Sequence, residues 1–251
     1  MSGHSHWATI RRKKGAADAK RGQVFTRLAR EIVIAAREGG GDPSSNIRLQ
    51  YAIDRARAQN MPKDNIERAI KRGTGDLKEG NVIEEAMYEG YGPHGIAFII
   101  SVVTDNRNRT VADIRHILNR TGGSMAEAGS VSWQFTRKAY FSFPQEGKDT
   151  DSLFELAVEA GADDVTFDDE TVEIFAPVES FKEISDRLKA NGILPEDAEL
   201  RMFPNNEVEL STEDSIQVLK VVEALEELDD VQDVYSTLSI SDDVMAQLEA
   251  A

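Results

Sequence analysis

The first thirty residues, MSGHSHWATIRRKKGAADAKRGQVFTRLAR, hold Arg11, Arg12, Lys13, Lys14, Lys20, Arg21, Arg27 and Arg30 against a single acid, Asp18. Guanidinium and ammonium groups offer donors only, with a fixed positive charge, and this is the chemistry that neutralises phosphates and releases their counterions. Trp7 stands four residues before the run and could stack on a base. Together these are candidate nucleic-acid-binding residues. A solvated basic tail is the plain alternative.

A second candidate is Asp105-Asn106-Arg107-Asn108-Arg109-Thr110. Arg107 and Arg109 could grip phosphate from a loop, or they could flank a helix N-cap and pair with nearby acids. The residues leave both readings open. Gly122–Gly129, GGSMAEAG, reads as a glycine-bounded loop with an exposed methionine at its tip. It either joins a helix to a strand or inserts into a narrow site.

Little else has the composition of a reactive centre. The four histidines, His4, His6, His94 and His116, form no HExxH, and neither a metal-spaced His/Asp/Glu cluster nor a G-x-S-x-G is present. Gly39-Gly40-Gly41 is followed by no GK[ST], so it reads as punctuation rather than a phosphate cradle. If Met1 is removed, Ser2-Gly3-His4 could hold Cu(II) or Ni(II) in a square of nitrogens; no physiological use of it is expected. The expectation is a protein without enzymatic activity, cofactor, resident metal or small-molecule substrate.

These candidates sit on a sharply asymmetric chain. Residues 1–76 carry 16 Lys/Arg and 8 Asp/Glu, for +8, whereas residues 77–251 carry 13 and 37, for −24. An acidic body repels phosphates, so nucleic-acid contact should concentrate at the N-terminal end. Solubility or a basic protein partner could also account for the acids. Cysteine is absent, which removes disulfides and thiolate sites and fits a reducing cytoplasm. No run approaches the roughly 20 apolar residues of a membrane span, and the basic N-terminus has no signal-peptide apolar stretch.

The elements that must position the candidates follow from periodicity. From Ala16 to about Glu38, Val24, Phe25, Leu28, Ile32 and Ala36 share one helical face at about 100° per residue, with Lys20, Arg27, Arg30 and Arg37 on another arc; Arg21 and Val33 fall off the pattern. Helices over about 45–59 and 62–72 follow, the second begun by Pro62 and closed by Gly73-Thr74-Gly75-Asp76. No tight turn precedes a recognition helix, so base-specific reading is not expected. Strands are expected at 84–90, 96–105 and 131–135, with a helix at 110–119 between the last two. A helix at 213–228, capped by Ser211-x-x-Asp214, and a strand at 231–240 close the chain. Between them, 139–143, 150–160, 164–168, 171–175, 180–191 and 198–203 run β-α-β-β-α-β, the ferredoxin-like order. The expected fold is therefore α+β and multi-domain: an N-terminal three-helix bundle over 1–77, an α+β domain split between 78–135 and 207–251, and a ferredoxin-like domain inserted over 136–206.

The segments GHSHWATIRRKKGAADAKRGQVFTRLAREI, GGGDP, YEGYGPHG, DNRNRT and GGSMAEAGSV, in this order, resemble the YebC/PmpR family over essentially the whole chain. His6 stands where that family more often has Lys. The resemblance implies the same three-domain architecture, with the third domain ferredoxin-like and inserted in the second. It further implies a cytoplasmic regulator that binds promoter DNA. Other members act as translation factors at the ribosome, which makes ribosomal or transfer RNA the alternative partner.

Overall fold

The computed structural model describes residues 18–77, 82–168 and 170–250. Three helices come first: α1 (Asp18–Gly39), α2 (Ile47–Ala58) and α3 (Lys63–Thr74). Leu28, Ile32 and Ala36 of α1 meet Leu49, Ala52, Ile53 and Ala56 of α2 and Ile66 and Ala69 of α3 in one apolar core. Val33, which lies off the expected apolar face, is buried as well, together with Ile34 and Ala35. The reason is that α1 is covered on more than one side. A Cβ on Gly73 of α3 would lie 2.5 Å from the Val33 carbonyl oxygen, and Val103 joins the core from the neighbouring sheet.

The turn between α1 and α2 is organised by Asn46. Its side chain donates to the carbonyls of Ala35 and Gly40, both at 2.8 Å, and accepts from the Leu49 amide at 3.1 Å. One buried amide therefore closes one helix and caps the next. Gly40 adopts φ +84°, and a Cβ on Gly39 would collide with Asn46. The three glycines act as punctuation, and the second helix starts two residues later than periodicity suggests.

A four-stranded sheet has the order β3-β1-β2-β8, with β1 Glu84–Tyr91, β2 Ala97–Thr104, β3 Ser124–Ala126 and β8 Val231–Ser236. Every residue of β2 is buried, as its continuous apolar run requires. Helices α4 (Arg107–Arg120) and α7 (Thr212–Glu226) supply Ile114, Leu118, Val218, Val222 and Leu225 to the core over one face. The Ser211 hydroxyl accepts from the Asp214 amide at 3.2 Å, the expected cap. A terminal helix, α8 (Asp242–Ala250), adds Val244 and Met245 to the same core.

Two local expectations are corrected. Val131–Phe135 is not a strand: Ser132–Gln134 forms a single 3-10 turn leading into β4 (Phe135–Pro144). The Glu89 carboxylate accepts the amides of Gly129, Val131 and Ser132 at 2.8, 2.6 and 3.1 Å, which removes the donors a ladder would need. The third strand of this sheet comes instead from the glycine-bounded loop. There Gly90 pairs with Met125, and Met125 packs half-buried on the core rather than projecting into solvent.

Residues 136–203 form a compact unit of their own, and the other described residues form a second. The smaller unit contains most of β4, then α5 (Thr150–Glu159), β5 (Asp164–Phe167), β6 (Thr171–Ala176), α6 (Phe181–Ala190) and β7 (Asp197–Pro204). Its sheet order, β5-β6-β4-β7, puts the first and third strands in the middle, the ferredoxin-like arrangement. Where the chain leaves for this unit and returns from it, Asn205 donates its amide to the Gln134 carbonyl at 2.7 Å and its side chain to the Trp133 carbonyl at 3.0 Å.

Candidate nucleic-acid interface

Trp7, Arg11, Arg12, Lys13 and Lys14 lie outside the described residues, as does Ser2-Gly3-His4. Lys20 and Arg21 lie on the first turn of α1. Further along, Arg27 is half-buried. Arg30 and Arg109, 79 positions apart in sequence, are brought together by one carboxylate. Arg30 Nη1 lies 2.8 Å from Asp230 Oδ1, and Arg109 Nη2 lies 2.7 Å from Oδ2. The hydroxyls of Thr110 and Thr104 lie 2.7 and 3.1 Å from the same Oδ2, and the Asp230 carbonyl accepts from the Val103 amide at 2.8 Å.

Burial of Asp230 works against its charge, but hydrogen bonds from Arg109 and Thr110 and the charge of Arg30 outweigh it, holding the carboxyl below its usual range. The Arg109 guanidinium is correspondingly held above its ordinary value by its hydrogen bond to Asp230. Around this clasp opens a polar cleft of about 500 Å³ that also exposes Gln23, Asp105 and Asp113. Gln23 and Arg30 donate to the carbonyls of Glu227 and Asp229, further tying α1 to the segment before β8.

DNRNRT is thus a helix start. Asn106 accepts from the Arg109 amide at 3.1 Å, so α4 begins at Arg107 rather than at Thr110 as periodicity suggested. Arg107 pairs with Glu84 at 2.6 Å yet keeps more than half of its side chain exposed. Arg109 also reaches Asp105 at 3.0 Å. Asp105 is the kind of nearby acid the sequence offers, whereas Glu84 and Asp230 are distant in sequence and local spacing does not show them. Arg37 likewise donates to the Ile83 carbonyl, and Arg48 pairs with Glu38 and with Glu85 of β1.

Glu89 was missed by sequence reasoning. Burial raises the carboxyl's pKa, but the three amides of the 129–132 segment more than offset this and hold it below the usual range. It joins YEGYGPHG to GGSMAEAGSV, and Tyr91 adds a hydrogen bond from its hydroxyl to the Ser130 carbonyl at 3.3 Å. In the first of these segments His94 takes φ +59°, and its Nε2 lies 3.2 Å from Gln217 Oε1 and 3.5 Å from Asp214 Oδ1. Among the described residues no group of three or more His, Asp or Glu is placed to hold a metal, and no helix is long and apolar enough to cross a membrane.

Comparison with known proteins matches residues 5–76 to the TACO1/YebC protein N-terminal domain and residues 83–238 to the TACO1/YebC second and third domain. A relative from Chlorobaculum parvum, named a probable transcriptional regulatory protein, is 53% identical over 99% of each chain. One of the same name from Geotalea uraniireducens is 51% identical over 99% of this chain and all of that one. The crystal structure of a conserved hypothetical protein from Aquifex aeolicus is similar with a TM-score of 0.81 and 42% identity, covering 90% of this chain and 93% of that chain.

Proposed function

The chain belongs to the TACO1/YebC family, whose curated relatives carry the name "probable transcriptional regulatory protein", and from that premise we propose that it is a non-enzymatic, cytoplasmic regulator that binds DNA. The observation that carries this reading is the division of charge, +8 over residues 1–76 and −24 over residues 77–251. A polyanion meeting such a molecule is drawn to one end and repelled from the other. Arg11, Arg12, Lys13, Lys14, Lys20, Arg21, Arg27 and Arg30 supply phosphate contacts, with Trp7 as a stacking ring, and Arg107 and Arg109 at the start of α4 add to them. Arg30 and Arg109 are engaged with Asp230, so in this role they hold the two basic helices together and contribute charge beside the phosphate rather than free donors.

The reading is tested by replacing Arg11, Arg12, Lys13 and Lys14 with Ala and measuring duplex affinity against salt. Phosphate contacts make log affinity fall with log salt by about 0.9 per contact, so the variant should bind more weakly to every sequence and with a shallower slope. Unchanged affinity refutes the role of the arm. Ultraviolet crosslinking in the native cell then identifies the target. Duplex DNA upstream of genes is expected, whereas ribosomal or transfer RNA at discrete positions would replace this reading with a translation factor acting at the ribosome.

A further inference from the structure

Within the acidic body the largest positive excess of any element lies on one helix. Helix α4, RNRTVADIRHILNR, carries four arginines and His116 against the single acid Asp113, so it is +3 inside a region of −24. Its buried side is apolar, with Ile114, Ile117 and Leu118 against the sheet. At about 100° per residue its remaining positions form one outer face. On that face Asn108, Arg115, His116, Asn119 and Arg120 are all exposed, with the acid Asp113 at its edge beside Arg120.

Arg107 and Arg109 are engaged with Glu84, Asp105 and Asp230, whereas Arg115 and Arg120 have no acidic partner among the described residues. Two unmatched guanidiniums on one helix, with amides and an imidazole between them, make a donor-rich strip. The first turn of that helix is fixed beside α1, because Asp230 holds Arg109 and Arg30 together. The basic helix of the N-terminal end and the basic helix of the body therefore meet at one carboxylate.

We propose that the outer face of α4, through Arg115 and Arg120 with Asn119 and His116 beside them, is a second contact surface for the phosphate backbone of duplex DNA. The proposal rests on the reading above that the chain binds DNA. Charge complementarity selects a polyanion, since α4 carries +3 within a region that is −24 overall. Helix α4 carries no Phe, Tyr or Trp, the large rings on which unpaired strands are mostly stacked, and its arginine-rich face fits a duplex backbone better. Arg115 and Arg120, five positions apart, are about 7.5 Å apart along the helix axis and about 140° apart around it, so they border the exposed face from its two sides. Contacts to phosphate alone carry no sequence preference, so this surface contributes affinity and orientation.

The test measures binding of a mixed-sequence DNA duplex, and in parallel of a single-stranded RNA of the same length, to the full chain across a salt series. Wild type is compared with Arg115→Ala/Arg120→Ala, with Arg115→Lys/Arg120→Lys, and with the arm variant lacking Arg11, Arg12, Lys13 and Lys14. The expected result is a salt slope reduced by about 1.8 in the double alanine variant, two contacts at about 0.9 each, with roughly tenfold weaker binding at low salt. The lysine variant should restore the slope, and both double variants should melt like wild type. An unchanged slope in the double alanine variant, alongside loss in the arm variant, overturns the α4 surface and leaves the DNA-binding reading standing. Loss confined to a single-stranded RNA of the same length also overturns it. Wild-type protein that shows no salt-dependent affinity for the duplex overturns both.

Discussion

Arg30 on α1 and Arg109 on α4 share the carboxylate of Asp230, at 2.8 and 2.7 Å, so this acid ties α1 to α4 and, with the Arg48–Glu85 pair, helps fasten the N-terminal helices to the sheet that follows them. Asp230 is only 7% exposed and also faces the hydroxyls of Thr104 and Thr110. Asp230→Asn removes the charge while keeping the shape. It should cost about 2 kcal/mol, in the range of hydrogen bonds to charged groups. Because the carboxyl is held below its ordinary value in the folded protein, its contribution is present above the unfolded pKa and is lost as pH falls through the folded one. The difference between variant and wild type in chemical denaturation should therefore shrink in acid.

Glu89→Gln should loosen the 129–132 segment. The amide offers one neutral acceptor oxygen where two charged ones now take three backbone N–H groups. A loss of about 1–2 kcal/mol is expected, with faster hydrogen exchange at Gly129, Val131 and Ser132. The Glu89 carboxyl is also held below its usual range, so wild type should approach the variant's exchange rates only in acid.

Two glycines make opposite predictions. Gly73→Ala places a methyl 2.5 Å from the Val33 carbonyl oxygen and 2.7 Å from Ala36 Cβ, so α1 and α3 must separate. Overpacking of this kind costs about 1–3 kcal/mol. Gly22→Ala, inside α1 with nothing within 4 Å, should stabilise by about 0.5–1 kcal/mol through helix propensity. Thermal unfolding of the two variants checks both signs.

Asn46→Ala leaves the carbonyls of Ala35 and Gly40 and the amide of Leu49 without their shared partner. A cost of about 2 kcal/mol is expected. Asn46→Asp should recover only part of it, because aspartate can accept from Leu49 but cannot donate to the two carbonyls.

Much of the architecture was legible in local residue patterns. Pro62 and Gly75 bracket α3, the apolar run 96–103 becomes the fully buried β2, and the order of elements over 139–203 reads directly as ferredoxin-like. What escaped notice depends on partners far away in sequence. Val131–Phe135 has strand composition, but Glu89, some forty residues earlier, takes its amides. Met125 has the look of a loop tip until β1 pairs with it. The same limit applied to the candidate interface. Charge located the basic arm and the arginines of DNRNRT, but only the fold shows that Arg30 and Arg109 converge on Asp230, and that Arg115 and Arg120 face outward from a helix whose other arginines are engaged.

The stitch between Asn205 and Gln134 bears on how this chain can be cut and rejoined. The chain leaves the larger unit and re-enters it at adjacent residues, held by hydrogen bonds that belong wholly to the larger unit. To that unit the intervening residues are a single closed loop, whose closure entropy grows by only about 0.6 kcal/mol per doubling of length. The position is therefore a natural graft point: a few-residue bridge, or an unrelated small domain with neighbouring termini, could occupy it without re-engineering the scaffold on either side.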